Sequence, residues 1–366
     1  GEGKLREGLR EYLENHSYDN ATWLDLVRIL DDKSQRNLTA WSNTWVNEPG
    51  MPHIDYEREL SNGKTSRVIL RQNDPAGKER LWKQYLTVEM GSVDSSHQEN
   101  IYLDKREHRI TGLSPTSQTP YILPNASGRG YGYFELDGRT NEYLLNHLSS
   151  FQSELQRAAI WINLWENLLH HTITPLEFHQ AIVEHLPEET NAQCINLVTG
   201  YLETNYWRFL TPRQRESHGR ETEVFIWNLM RSAERKDVKS AFFKTYRSLA
   251  INEAALDKLY SIWKGDRQID KLSLSTDDRI NLAYELMLKH PGKRDTIKSR
   301  QIEQIPNDEK KREFKFVARA LAGEKKQRDA FFSSLLEEKN REKEPWVSRA
   351  LHYLHHPLRA QQSMKY

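Results

Sequence analysis

Fourteen histidines are the first residues to test for chemistry, because imidazole is the usual metal ligand and proton carrier near neutrality. Three groups lie close in sequence: His170-His171, His179 with His185, and His352 with His355-His356. None of the fourteen is directly followed by glutamate, so this chain holds no H-E-x-x-H zinc helix. His352 and His355 share a helix face, yet no acid or thiolate is spaced to complete a tetrahedral site. Surface or satisfied histidines are the plainer reading.

Two other stretches invite a chemical reading. Pro124-Asn125-Ala126-Ser127-Gly128-Arg129-Gly130-Tyr131-Gly132-Tyr133-Phe134 is glycine-rich, as phosphate loops are. Its spacing is G-x-G-x-G rather than G-x-G-x-x-G, and strand-like residues follow where a helix is required. A turn feeding a strand accounts for it better. Lys289–Arg328 holds 13 basic and six acidic residues, an excess that could grip a nucleic acid. The acids are interspersed and no exposed aromatics are expected to interleave, so a solvated helix face is the favoured reading. Cys194, the single cysteine, lies among Ile195, Leu197 and Val198 and reads as a buried, inert thiol. No G-x-S-x-G elbow and no G-x-x-x-x-G-K-[ST] loop occurs. No catalytic, cofactor-binding or metal-binding residue is therefore assigned.

The elements around these residues follow from composition and pattern. With 366 residues the chain exceeds one ordinary core, and 37 aromatic side chains supply ample material for several. Basic and acidic residues number 53 and 52, so no global charge attracts nucleic acid or an anionic membrane. One cysteine excludes an internal disulfide and a multi-thiolate metal site. No apolar run reaches the roughly 20 residues of a membrane span. The chain opens on Gly1 in a segment already patterned as helix, as a shortened chain does, and the compartment is left open between cytoplasm and periplasm.

Residues 1–52 read as helices: Leu5, Leu9, Tyr12 and Leu13 form one face, and Trp23, Leu24, Leu26, Val27 and Leu30 a second helix after Asp19, Asn20 and Thr22. A third carries Leu38, Ala40, Trp41 and Trp45. Pro49, Gly50 and Pro52 end the helical pattern. Between His53 and Leu136, runs of five to ten residues alternate with breakers: His53–Glu57, Arg67–Arg71, Trp82–Val88, Asn100–Arg109 and Tyr131–Leu136. Asn62-Gly63 is a hairpin signal, and Asp74-Pro75 and Ser114-Pro115 mark further turns. From Asn141 the pattern is helical, beginning with one helix through Leu144, Leu148, Phe151 and Leu155. Thr174-Pro175-Leu176-Glu177 is a helix start. Later helices are expected at residues 189–210, 221–234, 238–249, 253–263, 276–289, 308–321, 325–338 and 346–354.

The run Gly8-Leu9-Arg10-Glu11-Tyr12-Leu13, with His16, Tyr18, Asn20-Ala21, Asp25-Leu26, Trp45 and Pro49-Gly50-Met51-Pro52, resembles the end of the catalytic domain of aminopeptidase N-type (gluzincin) zinc metallopeptidases. There, G-L-x-x-Y-L-x-x-H-x-Y-x-N-A, D-L and W-x-x-x-P-G-x-P lead into a β-sandwich. Pro124–Phe134 similarly resembles the family's P-N-x-x-G-x-G-Y-Y motif, and Tyr353–Leu358 a C-terminal stretch of bacterial members. The resemblance implies a mainly α chain with a small all-β domain. On this resemblance residues 1–52 are expected to be the last helices of a truncated thermolysin-like domain, 53–138 an antiparallel β-sandwich, and 139–366 an α-solenoid of HEAT- or armadillo-like helix pairs.

It further implies an accessory region that encloses the active-site cavity of a zinc aminopeptidase and limits peptide access. The zinc, its ligands and the amine-anchoring G-x-M-E-N motif belong to an upstream catalytic domain of the same polypeptide. The alternative is a non-catalytic helical scaffold that binds a peptide or protein partner.

Overall fold

The computed structural model describes residues 2–34, 37–61, 64–111 and 119–366. The chain divides into two compact units, Gly1–Thr174 and Pro175–Tyr366. The class is mainly α with a small β region.

In the first unit, α1 (Glu2–Asn15), α2 (Trp23–Ser34) and α3 (Leu38–Ser42) precede a π-helical turn at Asn43–Asn47. Thr22 and Asp25 cap α2 reciprocally: the Thr22 N–H donates to Asp25 Oδ2 at 2.9 Å and the Asp25 N–H reaches Thr22 Oγ1. Then come β1 (His53–Ser61), β2 (Lys64–Asn73), β3 (Gln84–Gly91), β4 (Ser96–Leu103), β5 (Glu107–Ile110), β6 (Tyr121–Leu123) and β7 (Tyr133–Phe134). They form two sheets of order β5-β2-β1-β7 and β4-β3-β6. Ile54, Val68 and Leu70 of one sheet and Leu86, Val88, Met90 and Ile101 of the other bury into one shared core, the signature of a sandwich. Pairing is antiparallel except that β7 runs parallel to β1.

One strand expectation changes. Asn100–Arg109 is two strands, because the chain leaves one sheet at Leu103 and joins the other at Glu107. The Asn62-Gly63 and Ser114-Pro115 turns lie outside the described residues, although Ser61 opposes Lys64 across β1 and β2.

Next come α4 (Gly138–His147) and α5 (Glu154–Leu169), not one helix through Leu155. Leu148 and Phe151 keep helical spacing, but Ser153 caps a new helix by accepting from the Gln156 N–H. Asp137 caps α4 at Thr140 and takes the Arg58 guanidinium at 2.9 Å, so the cap also fastens α4 to β1. Asn167 of α5 is fully buried, accepts from the Leu136 N–H and donates to the Phe134 carbonyl.

The second unit contains α6 (Pro175–His185), α7 (Ala192–Thr204), α8 (Pro212–Ser232), α9 (Lys236–Leu249), α10 (Glu253–Lys264), α11 (Thr276–Lys289), α12 (Arg294–Gln304), α13 (Asp308–Ala320), α14 (Lys325–Ser334), α15 (Glu344–Leu354) and α16 (Ala360–Ser363). Cap chemistry sets several starts: Asn191, Thr211, Ser275 and Asn307 each accept from a first-turn N–H. The start of α8 and all of α12 were not read from the pattern. Both are strongly polar, and α12 buries only Ile297 and Gln301.

One device recurs in this unit. A buried or half-buried cation from one element donates to the orphan carbonyls ending another helix. Lys239 Nζ reaches Arg231 O at the end of α8, and Lys289 Nζ reaches Arg247 and Ser248 O at the end of α9. Arg279 and Arg300 serve the end of α10, Arg294 that of α11, and Arg359 that of α13. Among the described residues no helix is long and apolar enough to cross a membrane.

Candidate functional site

The glycine-rich stretch is a structural staple. Asn125 brackets Gly130 with two hydrogen bonds, 2.8 Å from the Gly130 N–H and 3.1 Å to its carbonyl. Gln84 brackets Tyr131 in the same way at 2.8 and 3.0 Å. Gly132 adopts φ +143°, and a Cβ there would fall 2.7 Å from Pro52 O. The Tyr133 N–H donates to that same carbonyl, so the Pro49–Pro52 junction is pinned to β7. Arg80 holds the junction from the other side, donating to Pro49 O and forking onto Asp74 at 2.8 and 2.9 Å. The donors of this loop face their own chain rather than an open phosphate site. Gly132→Ala is expected to destabilise this unit by about 2–3 kcal/mol through backbone strain and contact with Pro52, read from denaturant midpoints.

The histidine groups separate. His170 donates from Nδ1 to Glu166 O at 3.0 Å and stacks on Tyr133, with ring centroids 3.6 Å apart. His179 is buried, with Nε2 3.0 Å from Thr222 Oγ1, whose own proton goes to His218 O. His179 is therefore the Nε2–H tautomer, with Nδ1 buried and unpartnered. Burial first, then His218, lowers its pKa to about 4. His352 and His355 are exposed, while His356 is buried against Trp207, with ring centroids 4.5 Å apart. Its Nδ1 accepts from the Leu358 N–H, and burial followed by Lys289 lowers its pKa to about 3. Zinc does not fit here: the buried ring's acceptor is already used, and a lysine cation stands beside it. Cys194 is buried, in line with its apolar neighbours.

The most polar buried cluster of the second unit centres on Glu285 and Lys289. They are one helical turn apart on α11, and their ion pair spans 2.7 Å. The Lys289 side chain is 1% exposed and that of Glu285 12%. Tyr353 of α15 donates to Glu285 Oε1 at 3.3 Å, and Lys289 also lies 5.5 Å from the Trp207 ring. Trp207 is carried on a π-helical turn, Asn205–Phe209, that continues α7. Burial pushes the Glu285 carboxyl up, but Lys289 more than offsets it, and the net shift is downward. Glu203 has no such partner and is shifted upward by burial, although Thr245 Oγ1 donates to it at 2.9 Å.

Two carboxylates pushed in opposite directions can mark an acid–base site. Here the three Lys289 protons are all spent, on Glu285 and two carbonyls, which makes the group a clamp rather than a nucleophile. An i,i+4 acid–base pair within the apolar run Leu286-Met287-Leu288 was the available sequence signal.

The basic stretch 289–328 is not simply a solvated face. Lys289, Arg294, Arg300 and Arg328 donate to backbone carbonyls, and Lys293 and Lys310 pair with Asp257 and Asp277. Among the described residues, no three His, Cys, Asp or Glu side chains converge into a metal-holding group.

In the first unit, α1 buries only Gly8 and α2 only Val27. Leu5, Leu9, Leu13, Leu24, Trp41 and Val46 are exposed, although their spacing is that of a core-facing stripe. Trp23, Trp41, Trp45 and Tyr131 form a ladder with centroids 5.8 to 6.4 Å apart.

No family model matches the chain. Aminopeptidase N of Streptomyces lividans is 20% identical over 293 residues, covering 76% of this chain and 34% of that protein. Aminopeptidase N of Lactococcus lactis subsp. lactis is 32% identical over 83 residues, 23% of this chain and 10% of that protein. The tricorn protease-interacting factor F2 of Thermoplasma volcanium is 19% identical over 191 residues, 52% of this chain and 22% of that protein. The chain thus spans about a third or less of the relatives it matches. Among solved structures, Legionella pneumophila aminopeptidase A in complex with aspartic acid shares the fold, with TM-score 0.55 at 12% identity. It covers 100% of this chain and 45% of that one. The class is therefore a mainly α protein with a small β region, of the architecture found in that aminopeptidase. The motifs at Gly8–Ala21 and Trp45–Pro52 and the similarity to aminopeptidase N agree: this is an aminopeptidase N-like C-terminal region.

Proposed function

We propose that this chain is the non-catalytic accessory region of a zinc aminopeptidase that removes N-terminal residues from peptides. The observation that carries this reading is the exposed apolar stripe of α1, α2 and α3. Three helices that bury one residue or none of their long apolar side chains need a partner, and a preceding catalytic body supplies one. That body carries the metal, which provides Lewis-acid activation of water when bound. This chain's residues contribute shape: its helices wall the chamber so that peptides enter and folded proteins do not. Peptide substrates and the upstream domain are thus its proposed partners.

The test is direct. The protein as it stands is incubated with aminoacyl-anilide substrates, and its metal content is measured by mass spectrometry. No turnover and no stoichiometric zinc are expected; either one found in the purified chain would overturn the reading. Adding the upstream segment in trans is expected to protect Leu5, Leu9 and Leu13 from hydrogen exchange.

A further inference from the structure

In the second unit, an arginine lining one hollow lies over an aromatic wall of another. The first, about 530 Å³, is formed by the loop after α10 and is lined by Arg267, Lys271 and Arg279 with Ile262, Ile269 and Leu272. No carboxylate lines it. The second, about 490 Å³, lies where α8, α9 and α10 meet; Trp227, Tyr246, Arg220 and Lys258 line it together with Glu223 and Glu253. Arg267 connects them: its guanidinium carbon is 5.5 Å from the Trp227 ring centroid. Lys258 Nζ is 4.1 Å from the same centroid.

The charge balance around this pair of hollows is uneven. Five cations face two carboxylates, and Glu223 is already committed to the Ile251 and Asn252 N–H groups and the Asn252 side-chain amide. Among the described residues, Arg220, Lys258, Arg267, Lys271 and Arg279 have no carboxylate within ion-pair distance, in contrast to Lys293 and Lys310 nearby in sequence. Burial first, then Arg267, shifts the Lys258 pKa downward, as crowded like charges require. An anion placed here relieves that repulsion.

We propose that this double hollow binds an extended acidic peptide segment. A lone small anion needs convergent donors in one tight cup, whereas these cations are spread over two cavities of ligand size. Apolar side chains alternate with the cations along the walls, so the occupant carries acidic and apolar side chains together, the mode by which arginine clusters read acidic motifs. The site lies wholly within residues 220–279 and does not depend on a catalytic domain.

Fluorescence anisotropy tests it with a labelled, end-blocked eight-residue peptide of alternating Glu and Leu, against the same peptide with Gln for Glu. The acidic peptide is expected to bind at least tenfold more tightly, and more weakly as salt is raised. Arg267→Glu combined with Lys271→Glu, both exposed positions, is expected to lower that affinity at least tenfold with the thermal midpoint unchanged. Equal affinity for the two peptides, or an unaffected double variant, overturns the proposal. Displacement of the peptide by inorganic phosphate at a lower concentration than by unlabelled peptide also overturns it, in favour of a small-anion site. Aminopeptidase activity has no part in any of these readings, so failure here leaves the proposed parentage untouched.

Discussion

Lys289→Met is expected to destabilise the Pro175–Tyr366 unit by about 3–5 kcal/mol, because removing one member of a buried ion pair leaves the other charge unpaired. The methionine preserves the stem's length but donates to nothing. Glu285 then keeps its burial and loses the cation that held its carboxylate charged. The Arg247 and Ser248 carbonyls at the end of α9 lose their shared donor as well. Calorimetry should show the unit's midpoint falling by on the order of 10 °C. The double variant Lys289→Met with Glu285→Leu is expected to recover much of the loss, since a neutral pair avoids the stranded charge. A single variant with an unchanged midpoint would show that the pair is solvated and the clamp illusory.

Acid should weaken the same unit well above the range in which carboxylates titrate. His179 and His356 are both buried, with pKa values lowered to about 4 and about 3 from an ordinary 6.5. Each binds fewer protons folded than unfolded, so stability is full above pH 6.5 and falls as pH drops toward the folded values. The slope is about 1.4 kcal/mol per pH unit for each ring, or about 4 kcal/mol for the two together at pH 5. The geometry gives the reason. A proton on His179 Nδ1 would find no acceptor, and one on His356 Nδ1 would face the Leu358 N–H.

Lys289, Glu285, His352 and Arg359 act on His356; the acid among them, Glu285, is already spent on Lys289. Glu285, whose folded pKa is depressed, adds its own loss only at still lower pH. Denaturant midpoints measured from pH 7.5 to 4.5 should show this slope, and His179→Gln with His356→Gln should flatten it. An identical slope in the double variant would place the acid sensitivity elsewhere.

Much of the fold was legible because its signals are local. Ser275-Thr276-Asp277-Asp278 announces α11 through a reciprocal cap, and the helix runs over the expected residues 276–289. Thr174-Pro175 marks the start of α6. Elements without an apolar period were missed. The first half of α8 carries Arg213-Gln214-Arg215-Glu216-Ser217-His218 and has only its Thr211 cap to reveal it. The break at Leu148–Ser153 was hidden for the opposite reason, since apolar spacing continued across it.

The polar clusters were less legible. Glu285 and Lys289 look in sequence like any exposed i,i+4 pair, and the cations of 289–328 like a wetted face. What alters them comes from other helices: the α9 carbonyls, Trp207, Tyr353 and His356. By itself, the sequence determined the succession of helical, strand and helical regions, the break at Pro49–Pro52 and the likeness to aminopeptidase N, all properties of neighbouring residues. Only tertiary structure decided which charges are stripped of water, which helix ends they cap, and where cations gather without acids. Desolvation depends on what the fold packs around a group, and that packing joins residues far apart in the chain.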